Sequence, residues 1–414
     1  MLLCVFEDDG VRHLAPLTDT RAVYGIRLGV RTLLETTREA FPDATGLVLH
    51  ARASVAAVTG EEHDALVNRV PAGTSVLFVN GRYVAEPGDL LDRLRAAVRG
   101  GEAGRVFVQD GDVVAAWWPS VPGGVASGDA LTRAAFDGLA EERVDGARFV
   151  GRLWHLAPRV RTYLEADVRA RFGERRALLH PGAHEGARLL ASDRIYLGEG
   201  ARIRAGAVVT AEGGPVVLGA GAEVLENAVV RGPAFIGAGS RINALSMLEA
   251  VAIGPGCKVG GEVHTTILQA HANKAHAGFL GQSFVGEWCN LGAGTDASNL
   301  RNDYGEVTMF DAEDGAFVPT GELFFGLVMG DHSKCAIGTT FNTGTVVGAG
   351  CNLFGPGFHD RHVPAFSWGE PGAYEPFRID KFLRVAEAVF ARRDRAVTPA
   401  ERELLTALAE RRAA

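Results

Sequence analysis

The chain has 414 residues, a formal net charge of −8 and five scattered cysteines without a C-x-x-C pair. This length allows two or three domains, and the acidic balance provides no basic field that would recruit nucleic acid. Without an apolar run long enough for a bilayer, a secretory leader or a disulfide pattern, we expect a cytoplasmic protein that does not contact membranes.

Residues 1–125 alternate short apolar runs with amphipathic helical patterns. This alternation predicts an α/β domain with a largely parallel sheet. We expect a mostly helical connector over 126–190 and a helical extension over 371–414. In the extension, Thr398-Pro399-Ala400-Glu401 has the sequence of a capping box that opens a terminal helix. The strands are predicted at MLLCVF, GLVLHA, SVLFVNG, RVFVQDG and VVAAWW, and the helices at TLLETTREAF and GDLLDRLRAAV.

A six-residue repeat dominates residues 191–370. Glycine often follows the repeated aliphatic residue, and the chain contains 53 glycines, well above the usual ~7%. A period of six corresponds to one short strand and one tight turn, so three units form a triangular coil with its aliphatics inside. A disordered glycine-rich segment would not keep this register. The repeat predicts a parallel β-helix, marked by Leu197, Ile203, Val209, Leu218, Val224, Val230, Ile236, Ile242, Leu248, Ile253, Val259, Val285 and Leu291.

The period is interrupted at 263–279, 296–318 and 319–332. Interruptions in a solenoid correspond to protruding loops, where function is usually found. The first interruption carries an unusually polar cluster. The alternative is a solvated loop without function. The cluster contains Glu262, His264, His271, Asn273, Lys274, His276, Asn290 and Asn299.

These residues carry a family resemblance. Ala275-His276-Ala277-Gly278-Phe279-Leu280-Gly281 and Asn290-Leu291-Gly292-Ala293-Gly294-Thr295 resemble the acetyltransferase half of the bacterial bifunctional N-acetylglucosamine-1-phosphate uridyltransferase/glucosamine-1-phosphate acetyltransferase. A family of sugar nucleotidyltransferases with a similar two-part layout resembles this chain more closely. Its strings here include CKVGGEV, NKAHAGFLG, GEWCNLGAGT, LVMGDHSKCAIGTTFNTGTVVG and FSWG.

The resemblance implies a left-handed β-helix, acetyl-CoA as co-substrate and a homotrimer with the acyl-CoA cleft between neighbouring β-helices. It implies that His276 is the base that takes a proton from an attacking amine, a task that suits histidine. Asn290 and Asn299 match positions that contact the amino sugar or orient the reacting groups. Phe279 and Leu300 stand at the positions of two tyrosines of the family. Because both hydroxyls are missing, the resemblance does not identify the sugar. Substrate-binding candidates are Glu262, Asn273, Lys274 and Lys334.

A metal site is the competing interpretation of the histidines. Carbonic anhydrases of the gamma class bind zinc through three histidines across a subunit boundary, and His264, His271 and His276 could supply such a set. The H-G-C-x-I-G string of those enzymes is absent. We therefore assign no metal ligands.

The N-terminal domain resembles sugar-1-phosphate nucleotidyltransferases. Pro16-Leu17-Thr18-Asp19-Thr20-Arg21 looks like the later part of their phosphate-binding signature, although its glycines are missing. The resemblance implies nucleotide binding by Arg21, Arg27, Asn80 and Gly81. Mg²⁺ binding would require Asp110 or Asp112.

Together these features predict an acetyl-CoA-dependent N-acyltransferase for an amino-sugar phosphate or nucleotide sugar, fused to a nucleotidyltransferase-like domain. One alternative is a sugar-1-phosphate nucleotidyltransferase whose β-helix only assembles the trimer. Others are a non-catalytic scaffold and a zinc enzyme, because a fold alone does not determine function.

Overall fold

The computed structural model describes residues 1–101, 103–126, 129–173 and 181–413. Its N-terminal part is the expected α/β domain, and all five predicted strands and both predicted helices are confirmed. The strands are β1 (Leu2–Phe6), β2 (Gly46–Leu49), β3 (Leu66–Val67), β4 (Val76–Asn80), β5 (Arg105–Gln109), β6 (Asp112–Trp118) and β7 (Ala140–Arg143). The helices are α1 (Leu33–Ala40), α2 (Ala53–Glu62) and α3 (Asp89–Gly100).

The strand order of this sheet is β3-β2-β1-β4-β6-β5-β7. Strand β7 extends the domain beyond residue 125 and corrects the predicted helical connector. It pairs in parallel with β5, and it follows a short 3₁₀ helix at Arg133–Phe136. Phe136 is fully buried against the rings of Phe6 and Phe78, so this segment is part of the domain core. The helix α4 (Val160–Phe172) is confirmed, whereas connector residues 127–128 and 174–180 lie outside the described residues.

The repeat region forms short, almost entirely parallel strands. They are β8 (Arg188–Leu190), β9 (Ile195–Leu197), β10 (Arg202–Ile203), β11 (Val208–Thr210), β12 (Val216–Leu218), β13 (Glu223–Val224), β14 (Val229–Ile236), β15 (Arg241–Ile242), β16 (Met247–Ile253), β17 (Lys258–Val259), β18 (Glu262–Leu268), β19 (Asn273–Lys274), β20 (Phe279–Gly281), β21 (Phe284–Val285), β22 (Asn290–Leu291), β23 (Asp296–Ala297), β24 (Thr308–Asp311), β25 (Ala316–Pro319), β26 (Leu327–Met329), β27 (Lys334–Cys335), β28 (Thr340–Phe341), β29 (Thr345–Val347), β30 (Asn352–Leu353), β31 (His362–Val363), β32 (Ser367–Glu370) and β33 (Ala373–Pro376).

These strands stack into three faces, as expected for a left-handed β-helix. The groove face contains β10, β13, β15, β17, β19, β22, β27, β30 and β32. The junction face contains β9, β12, the second halves of β14, β16 and β18, and then β21, β26, β29 and β31. The open face contains β8, β11, the first halves of β14, β16 and β18, and then β20, β23 and β28.

The predicted interruption at 263–279 is wrong. Strands β18, β19 and β20 pair with the coils before and after them, so this segment forms a regular coil. The later interruptions form a single insertion that leaves the coil after β23 and carries the antiparallel hairpin β24–β25. Strand β21 pairs directly with β26 across it. The polar cluster therefore lies on rigid β-helix.

On the junction face, apolar side chains point both into the coil and outward. The outward column packs against the α/β domain and α4, so it belongs to the same hydrophobic core as Leu3, Val23 and Tyr163. Burial on both sides makes the two domains one unit, because each apolar side chain gains about 1.5–3 kcal/mol when it leaves water. The outward residues are Val217, Phe235, Ala252, Ile267, Phe284, Val328 and Val346.

The C-terminal segment closes the β-helix and returns to the α/β domain. Strand β33 pairs antiparallel with β32, and the helices α5 (Ile379–Ala391) and α6 (Pro399–Ala413) follow. The capping box is confirmed, because the Glu401 amide donates to Thr398 Oγ1 at 3.1 Å and the Thr398 amide donates to the Glu401 carboxylate at 2.8 Å. Thr398 Oγ1 also donates to Glu61 at the end of α2, at 2.5 Å.

Replacing Phe284 by alanine should lower the free energy of unfolding by about 3–5 kcal/mol, because the site cannot collapse around the cavity. Phe284 is 1% exposed, whereas Phe324 in the insertion is 42% exposed. Phe324→Ala is the control and should change the free energy by less than about 0.5 kcal/mol. Urea unfolding measures both. Equal, small effects would contradict the assigned junction.

Candidate functional site

A basic groove of about 400 Å³ lies between the groove face and α5. Three sequence-predicted residues, Asn273, Asn290 and Lys334, project into it from β19, β22 and β27, and His276 lies at its edge. The side-chain amide of Asn273 donates to Asn290 Oδ1 at 3.4 Å. The structure therefore brings together four residues, the first and last of which, Asn273 and Lys334, are 61 positions apart in the sequence. The remaining lining residues are Lys258, His271, Ala275, Trp288, Cys289, Val389, Arg392 and Arg393.

Helix α5 is held over the groove by a corner of stacked rings between the junction face and the groove face. The residue with positive φ at this corner is glycine in four successive coils and then changes to His271, Trp288 and His332, with φ of 52°, 59° and 61°. Trp288 stacks on His271 at 4.3 Å and on Phe390 of α5 at 4.1 Å. A side chain costs roughly 1–2 kcal/mol in this left-handed conformation. The ring contacts offset that cost and fix α5. The four glycines are Gly200, Gly221, Gly239 and Gly256.

The two histidines of this corner are structural. Burial lowers the pKa of His271, and burial together with Lys334 lowers the pKa of His332 to about 3. Both imidazoles are therefore neutral near pH 7, which suits their contacts with Trp288 and Phe390. The sequence analysis assigned His271 to a functional cluster. In the structure its ring stacks on Trp288, which in turn stacks on Phe390 of α5.

His276 lies in the turn between β19 and β20, at the corner between the groove face and the open face. Its side chain is exposed. The preceding lysine, Lys274, points into the coil in the column of Val259 and Leu291 and is 1% exposed. Its Nζ donates to the carbonyls of His276 at 2.7 Å and Gly260 at 3.3 Å. Lys274 therefore holds the turn that carries His276, and its ammonium does not reach the groove, contrary to the substrate-binding prediction.

Glu262 and Asn299 lie on the open face, away from the groove lining. The Glu262 carboxylate accepts from His264 Nε2 at 3.0 Å, if that nitrogen is protonated. Asn299 donates its side-chain N–H to Gln282. The His264 ring lies 6.1 Å from the Phe279 ring, next to the His276 turn. The predicted residues are thus divided between two sides of one corner, and the roles of Glu262 and Asn299 stay predictions.

Arg21 and Arg27 join the two domains instead of forming a nucleotide site. Arg21 donates to Glu287 at 3.0 Å and to Asp331; burial opposes its charge, but Asp331 and Glu287 raise the pKa of Arg21 above its ordinary value. The Arg27 guanidinium donates to the Val30 carbonyl at 2.5 Å, and its backbone N–H donates to Gln269 Oε1 at 2.9 Å. These contacts correct the predicted phosphate-binding role of both arginines, because their donors are engaged inside the protein.

The other two nucleotide-binding predictions also fall on packed positions. Asn80 is fully buried and donates to Asp8 Oδ2 at 2.6 Å and to the Val113 carbonyl at 2.9 Å. A side chain at Gly81 would lie 2.9 Å from the Tyr24 ring. Arg82 donates to both oxygens of Asp8, at 2.7 and 2.6 Å. This edge of the sheet is therefore filled by its own polar side chains.

The carboxylates at this edge do not fit a Mg²⁺ site. Arg82 also contacts Asp112 at 3.1 Å, so a fixed positive charge stands where the metal would bind. Asp110 occupies a left-handed turn position with φ of 51°. Among the described residues, one group has metal-ligand spacing: His13, Asp311 and Asp314. Asp311 is already bound by His13 at 2.9 Å and approached by Arg152 at 3.5 Å.

The three histidines of the zinc alternative lie apart within one chain. His264 is on the open face, His276 is on the neighbouring corner, and His271 is on the opposite corner of the groove face. The groove gains residues that the sequence did not indicate: Lys258, Trp288, Arg392 and Arg393. The signal for Trp288 was a bulky residue at a glycine position of the repeat.

Lys274 should make stability depend on alkaline pH. Burial lowers its pKa from 10.5 to about 8, partly offset by Asp296 and Cys335. Between about 8 and 10.5 the unfolded lysine keeps a proton that the folded lysine has lost, so its contribution to the unfolding free energy rises with pH. The unfolding free energy of the native protein minus that of Lys274→Met should therefore increase over this range. Urea unfolding near pH 8 and near pH 10 measures it, and a constant difference would contradict the buried placement.

Comparison with known proteins gives a match to one family model and to several curated proteins. Residues 3–175 match the family model described as sugar nucleotidyl transferase. The bifunctional protein GlmU of Gloeobacter violaceus is 35% identical over 130 residues, which are 30% of this chain and 27% of that protein. The GlmU of Sorangium cellulosum is 30% identical over 205 residues, which are 49% of this chain and 40% of that protein.

The chain spans 24–40% of the length of the curated relatives it matches. The crystal structure of an Arabidopsis UDP-N-acetylglucosamine acyltransferase is 16% identical and covers 56% of this chain and 90% of that chain, with a TM-score of 0.23. Within the described residues, every helix is too short or too polar to cross a membrane. Residues 3–175 are therefore similar to the sugar nucleotidyl transferase family, and the chain is similar to the bifunctional GlmU proteins over 25–49% of its length.

Proposed function

We propose that this protein is an acyl-CoA-dependent N-acyltransferase that acts on an amino-sugar phosphate or a nucleotide sugar. The observation that carries the proposal is the exposed His276 on a rigid corner, at the edge of a groove lined by cations and side-chain amides. The resemblance of the surrounding strings to the acetyltransferase half of the bifunctional enzymes supports it, as do the GlmU relatives.

In this proposal, His276 accepts a proton from the substrate amine as its nitrogen attacks the thioester carbonyl. A C–N bond forms, the C–S bond breaks, and CoA leaves as the thiol. The side-chain carbonyls of Asn290 and Asn273 can accept hydrogen bonds from sugar hydroxyls, and their N–H groups can donate to sugar oxygens or to the developing oxyanion. The Lys274 ammonium donates to the backbone carbonyl of His276, so the turn that carries the imidazole is fixed before substrate binds.

The decisive experiment measures thiol release from acetyl-CoA with glucosamine-1-phosphate and a panel of amino sugars. His276→Ala should lower kcat by about 10²–10⁴-fold, which is the usual contribution of a general base. His184→Ala, a histidine next to the first coil, is the matched control and should retain the native rate. Equal rates for the native protein and His276→Ala would exclude His276 as the base.

The alternative, sugar-1-phosphate nucleotidyl transfer, is less well supported by the N-terminal geometry. Arg21 and Arg27 form contacts at the domain junction. Arg82 donates hydrogen bonds to the carboxylates of Asp8 and Asp112 at the strand ends. We propose that the role of the α/β domain is instead structural, because it packs on the junction face of the β-helix. Pyrophosphate release from UTP or dTTP with a sugar-1-phosphate would favour the alternative, and ligand binding without either reaction would favour a scaffold.

A trimer is part of the proposal, because acyl-CoA would then bind between neighbouring β-helices. Two exposed aliphatics flank the His276 turn along the same corner: Leu245 two coils before it and Ile337 two coils after it. They are 81% and 78% exposed. Exposed aliphatics on both sides of a candidate base are typical of a surface that a second subunit covers.

Replacing both Leu245 and Ile337 by glutamate should dissociate the trimer and lower acyl transfer, because charge at a subunit contact is unfavourable. Light scattering after size exclusion gives the mass. Tyr304→Glu, at a residue that is 72% exposed in the insertion, should leave the mass unchanged. A trimeric double variant, or a monomeric native protein, would rule out this contact.

A further inference from the structure

The basic groove has an uncompensated positive charge. Four cations line it: Lys258 and Lys334 from the β-helix, and Arg392 and Arg393 from the end of α5. Its lining, within the described part of the chain, contains neither aspartate nor glutamate. None of the four cations forms an ion pair with a carboxylate among the described residues. Like charges gathered in one groove repel each other, and an anion would remove that cost.

The chemistry of the individual side chains agrees with this. Burial, together with Arg393, Arg241 and Arg392, lowers the pKa of Lys258. Burial lowers the pKa of Lys334 to about 8, and its Nζ donates to the His332 carbonyl at 2.9 Å. Both lysines lie on one ladder of paired strands, in the order Lys258, Asn273, Asn290 and Lys334, so the two asparagines lie between them.

The arginines are held in place and do not belong to a loose tail. Phe390 stacks on Trp288 at 4.1 Å, so the end of α5 is fixed on the ring corner. Arg393 donates to the Gly256 carbonyl at 2.7 Å and to Asn273 Oδ1 at 3.4 Å. Arg392 lines the groove next to it. The ring corner therefore serves to bring two cations from the C-terminal helix to a site on the β-helix.

We propose that this groove binds the phosphate of the substrate, with Arg392 and Arg393 acting as a clamp against Lys258 and Lys334. Arginine and lysine are the residues that proteins use for phosphate, and several charge-assisted hydrogen bonds can form at once. The volume is sufficient for a phosphorylated sugar, whose hydroxyls would face Asn273 and Asn290. The inference deepens the proposed function and rests on it for the identity of the sugar, but phosphate binding itself does not require turnover.

Two sources of phosphate fit this chemistry: the sugar phosphate and the phosphates of CoA. Titration calorimetry on the full chain should use inorganic pyrophosphate, glucosamine-1-phosphate, unphosphorylated glucosamine and CoA in separate experiments. The variants are Arg392→Ala and the conservative Arg392→Lys. Arg384→Ala is the matched control, because Arg384 lies on the same helix outside the groove lining and forms an ion pair with Asp380, at 3.5 Å.

We expect pyrophosphate and glucosamine-1-phosphate to bind, and Arg392→Ala to weaken binding by about tenfold or more, as expected for a charge-assisted hydrogen bond. Arg392→Lys should restore part of the loss, and Arg384→Ala should match the native protein. Added salt should weaken binding. If CoA shows the dependence on Arg392 and glucosamine-1-phosphate does not, the phosphate is that of the acyl donor.

Three results would overturn the inference: no binding of any phosphate compound to the native protein, equal affinity for glucosamine and glucosamine-1-phosphate together with no CoA dependence on Arg392, or unchanged affinity in Arg392→Ala. The test is separate from that of the acyltransferase. His276→Ala should bind phosphate normally while losing turnover. If the native protein binds phosphate through Arg392 but releases no thiol, the phosphate-binding proposal is supported and the acyltransferase proposal is contradicted.

Discussion

The whole molecule depends on the burial of one β-helix face from both sides. A β-helix strand normally places one set of side chains in the coil and leaves the other in water. On the junction face both sets are apolar, and the outward column forms one core with the α/β domain. The ion pairs of Arg21 with Glu287 and Asp331 are added at the edge of this contact. Ion pairs alone would provide little net stability after desolvation, so the apolar contact must supply most of it.

This arrangement leaves much of the other two faces of the β-helix accessible. With the α/β domain on the junction face and α5 on part of the groove face, the corner of His276 lies between a basic groove and the open face. The three surfaces therefore differ: the junction face packs against the α/β domain, and the groove face carries the positive charge. The corner between the groove face and the open face exposes the imidazole of His276. The coils themselves stay regular throughout this region.

The period of six was sufficient to predict the β-helix and to bring Asn273, Asn290 and Lys334 to one side. The repeat register also predicts which side chains point into the coil, and a prediction from residue type alone missed this for Lys274. Lys274 occupies the column of Val259 and Leu291, so its register already placed it inside the coil. Consecutive apolar pairs such as Phe235-Ile236 and Phe284-Val285 marked the face that is buried on both sides.

Other features could not be read from any local pattern. The partners of Arg21 are 266 and 310 residues away in sequence. The local sequence around an arginine therefore does not distinguish a phosphate-binding role from a contact between domains. Arg392 and Arg393 line the groove because α5 packs beside it. The position of α5 depends on ring stacking at three turn positions, His271, Trp288 and His332. The strand β7 was mistaken for helix because its short charged segment, AEER, gains its structure from pairing at the edge of the sheet.

The antiparallel return of β33 on β32 limits how the molecule can grow. A solenoid that ended on an unpaired parallel strand would offer its backbone N–H and C=O groups to the first coil of another molecule, and such contacts can propagate into fibres. On the groove face the last parallel strand is instead covered by a strand of opposite direction that ends at Pro376, which lacks a backbone donor. Backbone pairing with the first coil of another molecule is therefore disfavoured at this end of the groove face.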